Sequence, residues 1–139
     1  MRYIDTIIIH CSYTMPSMDI GAEEIRDWHV NDNGWNDIGY HYVIRRNGDI
    51  EKGRDDSVIG AHARGANKSS IGVCLIGGRA ENGGNEDNFT NDQFIALAGL
   101  IGDLEWQFGD VEVIGHYDVP DSGKTCPNFN VQEWLESIK

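Results

Sequence analysis

Apolar residues recur along this chain in two rhythms. Residues 4–10 (Ile-Asp-Thr-Ile-Ile-Ile-His) are rich in β-branched side chains and end at turn-like residues 12–17, which predicts a short buried strand. Residues 20–31 change to helical spacing through Ile25, Trp28 and His29, with Asp19 as candidate cap and Asn33-Gly34 as the stop. Residues 40–46 read as a second strand. Asn47-Gly48 then predicts a two-residue hairpin with positive φ at both positions, returning through Asp49 to Lys52. Residues 71–76 form another apolar strand, closed by Gly77-Gly78. After a polar loop over 79–89, Thr90 and Gln93 make a capping box. Phe94, Leu97, Ala98, Ile101, Leu104 and Phe108 then trace one helix face up to Gly109. Residues 111–115 read as a last strand, and Asn130 with Glu133 caps a final helix carrying Val131, Trp134, Leu135 and Ile138.

The resulting order is β-α-β-β-β-α-β-loop-α, without repeats, linkers or low-complexity segments. It predicts an α/β fold: one domain over 1–139, built on a central, mainly mixed sheet of about five strands with about three packed helices. The hairpin requires at least one antiparallel pair, and the remaining pairing is not legible.

Composition changes this picture little. The 139 residues carry 40% hydrophobic and 24% charged side chains, enough for a sizeable core in a soluble chain. No apolar stretch is long enough to span a bilayer, so no membrane is expected. The N-terminus lacks the features of a secretory signal, which predicts synthesis in a cytoplasm and delivery to any outside target by release or a nonclassical route. The net charge of −12 repels polyanions and argues against nucleic acid as a partner. Three cysteines, Cys11, Cys74 and Cys126, give an odd count that argues against a disulfide framework. Cys11 and Cys74 lie in apolar runs and read as small buried side chains, whereas Cys126 lies in a polar loop where packing explains less.

The candidate chemistry sits at strand ends. His10 closes the run Ile7-Ile8-Ile9, His116 follows the apolar residues 111–114, and Cys126 comes ten residues later. Two imidazoles and a thiolate are good zinc ligands, and they leave open the fourth tetrahedral position that a catalytic site needs. Alternation along a strand turns His10 and Cys11 to opposite faces, so only one of them joins a site on a given face; we take His10.

The wording around these residues is more specific. The segments Ile9-His10-Cys11-Ser12, Glu24-Ile25-Arg26-Asp27-Trp28-His29, Gly34-Trp35-Asn36-Asp37-Ile38-Gly39-Tyr40-His41-Tyr42, Gly60-Ala61-His62-Ala63, Asn67-Lys68-Ser69-Ser70-Ile71-Gly72-Val73, His116-Tyr117-Asp118-Val119 and Lys124-Thr125-Cys126-Pro127 occur in this order. The chain thereby resembles the zinc-dependent N-acetylmuramoyl-L-alanine amidases, which include phage amidase-type lysozymes and the peptidoglycan recognition proteins. The resemblance runs from about Ile7 to the final helix and is strongest to the phage lysozymes.

The resemblance implies one Zn2+ held by His10, His116 and Cys126, with Tyr40 and Lys124 as catalytic helpers. It implies hydrolysis of the amide between N-acetylmuramic acid and L-alanine, with peptidoglycan as partner and an endolysin's role in lysis. It also places the loop from His62 to Asn67 along the substrate cleft, with His62, Arg64 and Asn67 as candidate contacts; the rival reading is a turn held by His62 or Asn67 through backbone hydrogen bonds. His29, His41, Trp28, Trp106 and Trp134 read as structural or packing residues, and Trp35 and Asp37 as ordering the turn before Tyr40. Some relatives bind peptidoglycan without cutting it and lack the cysteine, and Cys126 argues against that alternative. Some phage lysozymes of this type also bind their phage's RNA polymerase, which adds a polymerase contact as a secondary expectation.

Overall fold

The computed structural model describes residues 2–139. Its strands are β1 (Thr6–Cys11), β2 (Tyr42–Ile44), β3 (Ile50–Lys52), β4 (Ser70–Leu75) and β5 (Glu112–Gly115). Its α-helices are α1 (Ala22–Asp27), α2 (Asn91–Phe108) and α3 (Val131–Ser137). The strands form one mixed sheet in the order β3-β2-β4-β1-β5, with only the β2–β3 pair antiparallel. The expected α/β class is observed.

Both faces of a parallel sheet must be covered, and the central strands are apolar on both. Ile7, Ile9, Ile71, Val73 and Leu75 point to one face, where they pack with Leu97, Ile101 and Leu104 of α2 and Val131 of α3. On the other face Val43 and Cys74 meet Ile20, Ala22 and Ile25 around α1, while Ile8 meets Ala63 and Val119 from two loops. Each such fully buried branched side chain contributes about 1.5–3 kcal/mol relative to exposure.

Thr90 caps α2 as its sequence predicts: its Oγ1 accepts from Gln93 N (3.1 Å), and its own N–H donates to Gln93 Oε1 (2.9 Å). The Gln93 amide, fully buried, also donates to the carbonyls of Ile44 and Ile76, so the cap ties the helix to the sheet.

Three local expectations are corrected. Asp19 does not cap α1: it pairs with Arg45 at 3.0 Å, and the helix starts after Gly21, where Glu24 and Glu51 accept the free N–H groups of Gly21 and Ala22. The β2–β3 connection is longer than a two-residue turn: Gly48 N–H donates to Arg45 O (2.8 Å), and of Asn47-Gly48 only Gly48 has positive φ (94°). Trp106 is not a core residue, since its position on α2 turns it outward and leaves it 91% exposed.

His41 is a packing residue with both ring nitrogens engaged, Nδ1 accepting from Gly72 N–H (3.0 Å) and Nε2–H donating to Val58 O (2.8 Å). Burial lowers its pKa to about 4. Between the ordinary histidine value of about 6.5 and this value, the unfolded chain binds a proton that the native chain refuses. Stability is therefore full above about pH 6.5 and falls as pH drops toward 4, by on the order of 3 kcal/mol from this residue. Thermal melts of chelator-treated protein are expected to lose stability across that window, and His41→Gln to flatten the slope. Equal slopes in both proteins would show that His41 titrates normally.

Candidate metal centre and cleft

The register explains why residues more than a hundred positions apart converge. β1 and β5 are parallel neighbours, with Ile9 opposite Gly115. The next residue after each of these is a histidine, so His10, near the end of β1, and His116, just past β5, leave the same edge of the sheet side by side. Such carboxyl ends of parallel strands are where open α/β sheets place ligands. The loop after His116 folds back so that Tyr117 N–H donates to Cys126 O (3.1 Å), which brings the thiol over the strand ends.

His10 Nδ1 lies 3.1 Å from His116 Nδ1, and His116 Nδ1 lies 3.3 Å from Cys126 Sγ. The three candidate ligand atoms fall within 4.8 Å of one another. Tetrahedral zinc would set two nitrogen ligands about 3.3 Å apart and nitrogen and sulfur about 3.5 Å apart, so the donor set fits that ion with small adjustments. The thiol is pushed far down from its ordinary value, chiefly by a hydrogen bond from Cys11, against the opposing effect of burial. It is thus prepared as a thiolate, the form a metal binds.

Cys11 belongs to this site, although its side chain leaves β1 on the face opposite His10. The Cys126 loop caps the end of the strand and so touches both residues, and the contact with Cys126 holds the Cys11 thiol well above its ordinary range. A sequence reading based on alternation alone assigns Cys11 elsewhere. Asn128, at φ 69°, also approaches Cys11 Sγ (3.8 Å) while donating to Gly78 O (2.8 Å).

The Tyr40 ring packs on His10 at 5.1 Å between centroids. Burial, followed by the neighbouring cysteine sulfurs, raises the phenol well above its ordinary value. Its hydroxyl therefore stays protonated. Lys124 is exposed and stands between two openings. One is a cavity of about 320 Å³ lined by Tyr40, His116 and Cys126, and the other is a cleft of about 800 Å³ lined by His116, Trp35 and the loop from Ala61 to Asn67.

The candidate cleft residues do not behave alike. Arg64 is exposed at the cleft. Asn67 holds its own loop, with Oδ1 accepting from the N–H groups of His62 (3.0 Å) and Ala63 (2.9 Å), as the turn reading describes. His62 is buried with both ring nitrogens engaged: Nδ1 lies 2.8 Å from His10 Nε2, and Nε2 lies 3.2 Å from Ser70 Oγ. Trp35, read from sequence only as ordering a turn, packs at a tilt against His29 (4.6 Å) and keeps 38% of its surface exposed at the cleft. His29 is structural as expected, its Nδ1 accepting from Gly39 N–H (2.9 Å).

A mostly parallel sheet that gathers two histidines and a cysteine at its carboxyl edge, beside an open cleft, forms a candidate metal site of the kind found in hydrolases. The chain belongs to the N-acetylmuramoyl-L-alanine amidase family (Amidase_2), whose profile matches residues 1–129. It is 45% identical over 130 residues to an endolysin of Klebsiella phage KP32, covering 94% of this chain and 84% of the relative. It is 42% identical over 132 residues to an endolysin of Escherichia phage T7, covering 95% and 85%. Among solved structures, the N-acetylmuramoyl-L-alanine amidase LysC from Clostridium intestinale URNW superposes with a TM-score of 0.82 at 27% identity, over 99% of this chain and 86% of that one. Bumblebee PGRP-SA superposes with a TM-score of 0.81 at 29% identity, over 98% and 82%.

Proposed function

We propose that this chain is a zinc-dependent endolysin that hydrolyses the amide between N-acetylmuramic acid and L-alanine in peptidoglycan. The observation that carries the reading is the convergence of His10 Nδ1, His116 Nδ1 and Cys126 Sγ beside the cleft. When bound, zinc supplies Lewis acidity, which makes water nucleophilic at neutral pH and polarises the amide carbonyl.

The chain's own residues do the rest. The cleft positions the glycan and stem peptide, with Arg64 as a cation for a peptide carboxylate and Trp35 as an apolar plate for a sugar. The Tyr40 hydroxyl donates to the oxygen that gains charge as the carbonyl becomes tetrahedral, and the Lys124 ammonium, from the rim, stabilises the same charge. Like the endolysins it resembles, the protein is taken to be made in the cytoplasm and to attack the wall at lysis.

Purified peptidoglycan is the direct substrate for a test. Treatment should release stem peptides with free L-alanine amino termini, detected by mass spectrometry. Chelation should abolish the release and added zinc restore it. Cleavage at a glycosidic or peptide–peptide bond instead would refute the assignment. Lys124→Gln is expected to lower kcat by about 10²-fold with zinc content unchanged, in line with removal of one oxyanion-stabilising group.

A further inference from the structure

We propose that His62 and Ser70 are positioning residues which set the tautomer of His10, so that its Nδ1 carries no proton and is free for the metal. The inference rests on the metal-centre reading above and extends it to the loop behind the ligand.

For neutral imidazoles the proton directions follow from the hydrogen bonds. Ser70 Oγ lies 2.7 Å from Ala66 O, a pure acceptor, so the hydroxyl proton points there. Its oxygen is then left to accept, and the atom facing it at 3.2 Å is His62 Nε2, which must carry the proton. A neutral His62 protonated at Nε2 has a bare Nδ1, an acceptor. That Nδ1 sits 2.8 Å from His10 Nε2, so His10 donates from Nε2. A neutral His10 protonated at Nε2 has a bare Nδ1, and this is the atom that faces His116 and Cys126. Ala66 O thus fixes, through three side chains, which nitrogen of His10 is available. Both rings are buried, which favours the neutral forms.

The surroundings are built to hold this ring. Asn67 pins the backbone of His62 and Ala63 from within the loop. A Cβ at Gly72 would lie 2.6 Å from the His62 ring, and one at Gly60 would lie 2.7 Å from it, so glycines supply the space on both sides. His62 has no ring nitrogen left for a substrate, and its occupied state marks it as an orienting partner of a ligand, the arrangement that metal-bound histidines commonly need.

Ser70→Ala removes the acceptor and frees His62 to move its proton to Nδ1. It would then donate to His10 Nε2 and leave a proton on His10 Nδ1. Zinc affinity, measured by competition with a chromophoric chelator, is expected to fall about 10- to 100-fold. In the chelated protein, long-range 1H–15N spectra should show His10 as the Nε2–H tautomer in wild type and shifted toward Nδ1–H in Ser70→Ala. Ser70→Thr, which restores the oxygen, should return both readouts to wild-type values. A wild type that binds zinc, with affinity and tautomer unchanged in Ser70→Ala, would overturn this inference alone, as would equal losses in Ser70→Ala and Ser70→Thr, which would mark packing. A wild type that takes up no zinc would overturn the metal-centre reading and this inference together.

Discussion

Cys126→Ser is expected to strip the centre of its metal and to remove activity by on the order of 10³-fold or more while leaving the fold nearly intact. A serine hydroxyl is neutral at working pH and binds zinc far more weakly than a thiolate, so the site would fall to two histidines. The contact from Cys11, which helps hold the thiol ionised, would lose its partner as well. The residue sits in a partly exposed loop tied down by a backbone hydrogen bond from Tyr117 and by the Asn128 side chain, so the unfolding free energy should differ from that of chelator-treated wild type by about 1 kcal/mol or less. Metal content after dialysis, muropeptide release and a thermal melt together check the prediction. Wild-type activity in a metal-poor variant would show that the ligand set is wrong. Normal folding with both metal and activity lost would also separate this chain from a binding-only relative.

Tyr40→Phe is the second large effect. The substitution keeps the ring that packs on His10 and removes only the hydroxyl. Because the phenol is held protonated well above its ordinary value, the group lost is a hydrogen-bond donor rather than a base. The loss should fall on kcat, by about 10²–10³-fold, with KM and zinc content near wild type. If KM rises while kcat holds, Tyr40 contributes to binding and the proposed role is wrong. The pH–rate profile gives a second check: an alkaline limb assigned to Tyr40 should lie above the ordinary phenol range.

Much of this was legible without the structure. The strand runs and helix faces were recognisable because period and capping are properties of neighbours in sequence. Thr90 with Gln93 shows this well, since both halves of the capping box lie within one turn. Asp19 shows the limit: as a cap it fitted the local pattern, but Arg45, 26 residues away, offered it a charge partner and Glu51 took over at the helix start. Trp106 shows the same limit for packing. An aromatic residue is expected inside, yet its angular position on α2 lies on the face turned away from the sheet.

The sequence by itself determined the element order, the three candidate ligand residues at strand and loop ends, and through its motifs the family. These depend on spacing, turn chemistry and side-chain identity, all written locally. The tertiary structure alone decided that β5 lies beside β1, which is what sets His10 against His116. It also decided that Cys11 touches Cys126 and that the His62 ring lies behind His10 rather than free in the cleft. Those contacts join residues between 52 and 115 positions apart, and the relay from Ser70 to His10 crosses from one strand to another through a loop. Which nitrogen of His10 faces His116 is therefore a consequence of strand order and loop closure, because a proton's place on an imidazole is set by what lies across from it in space.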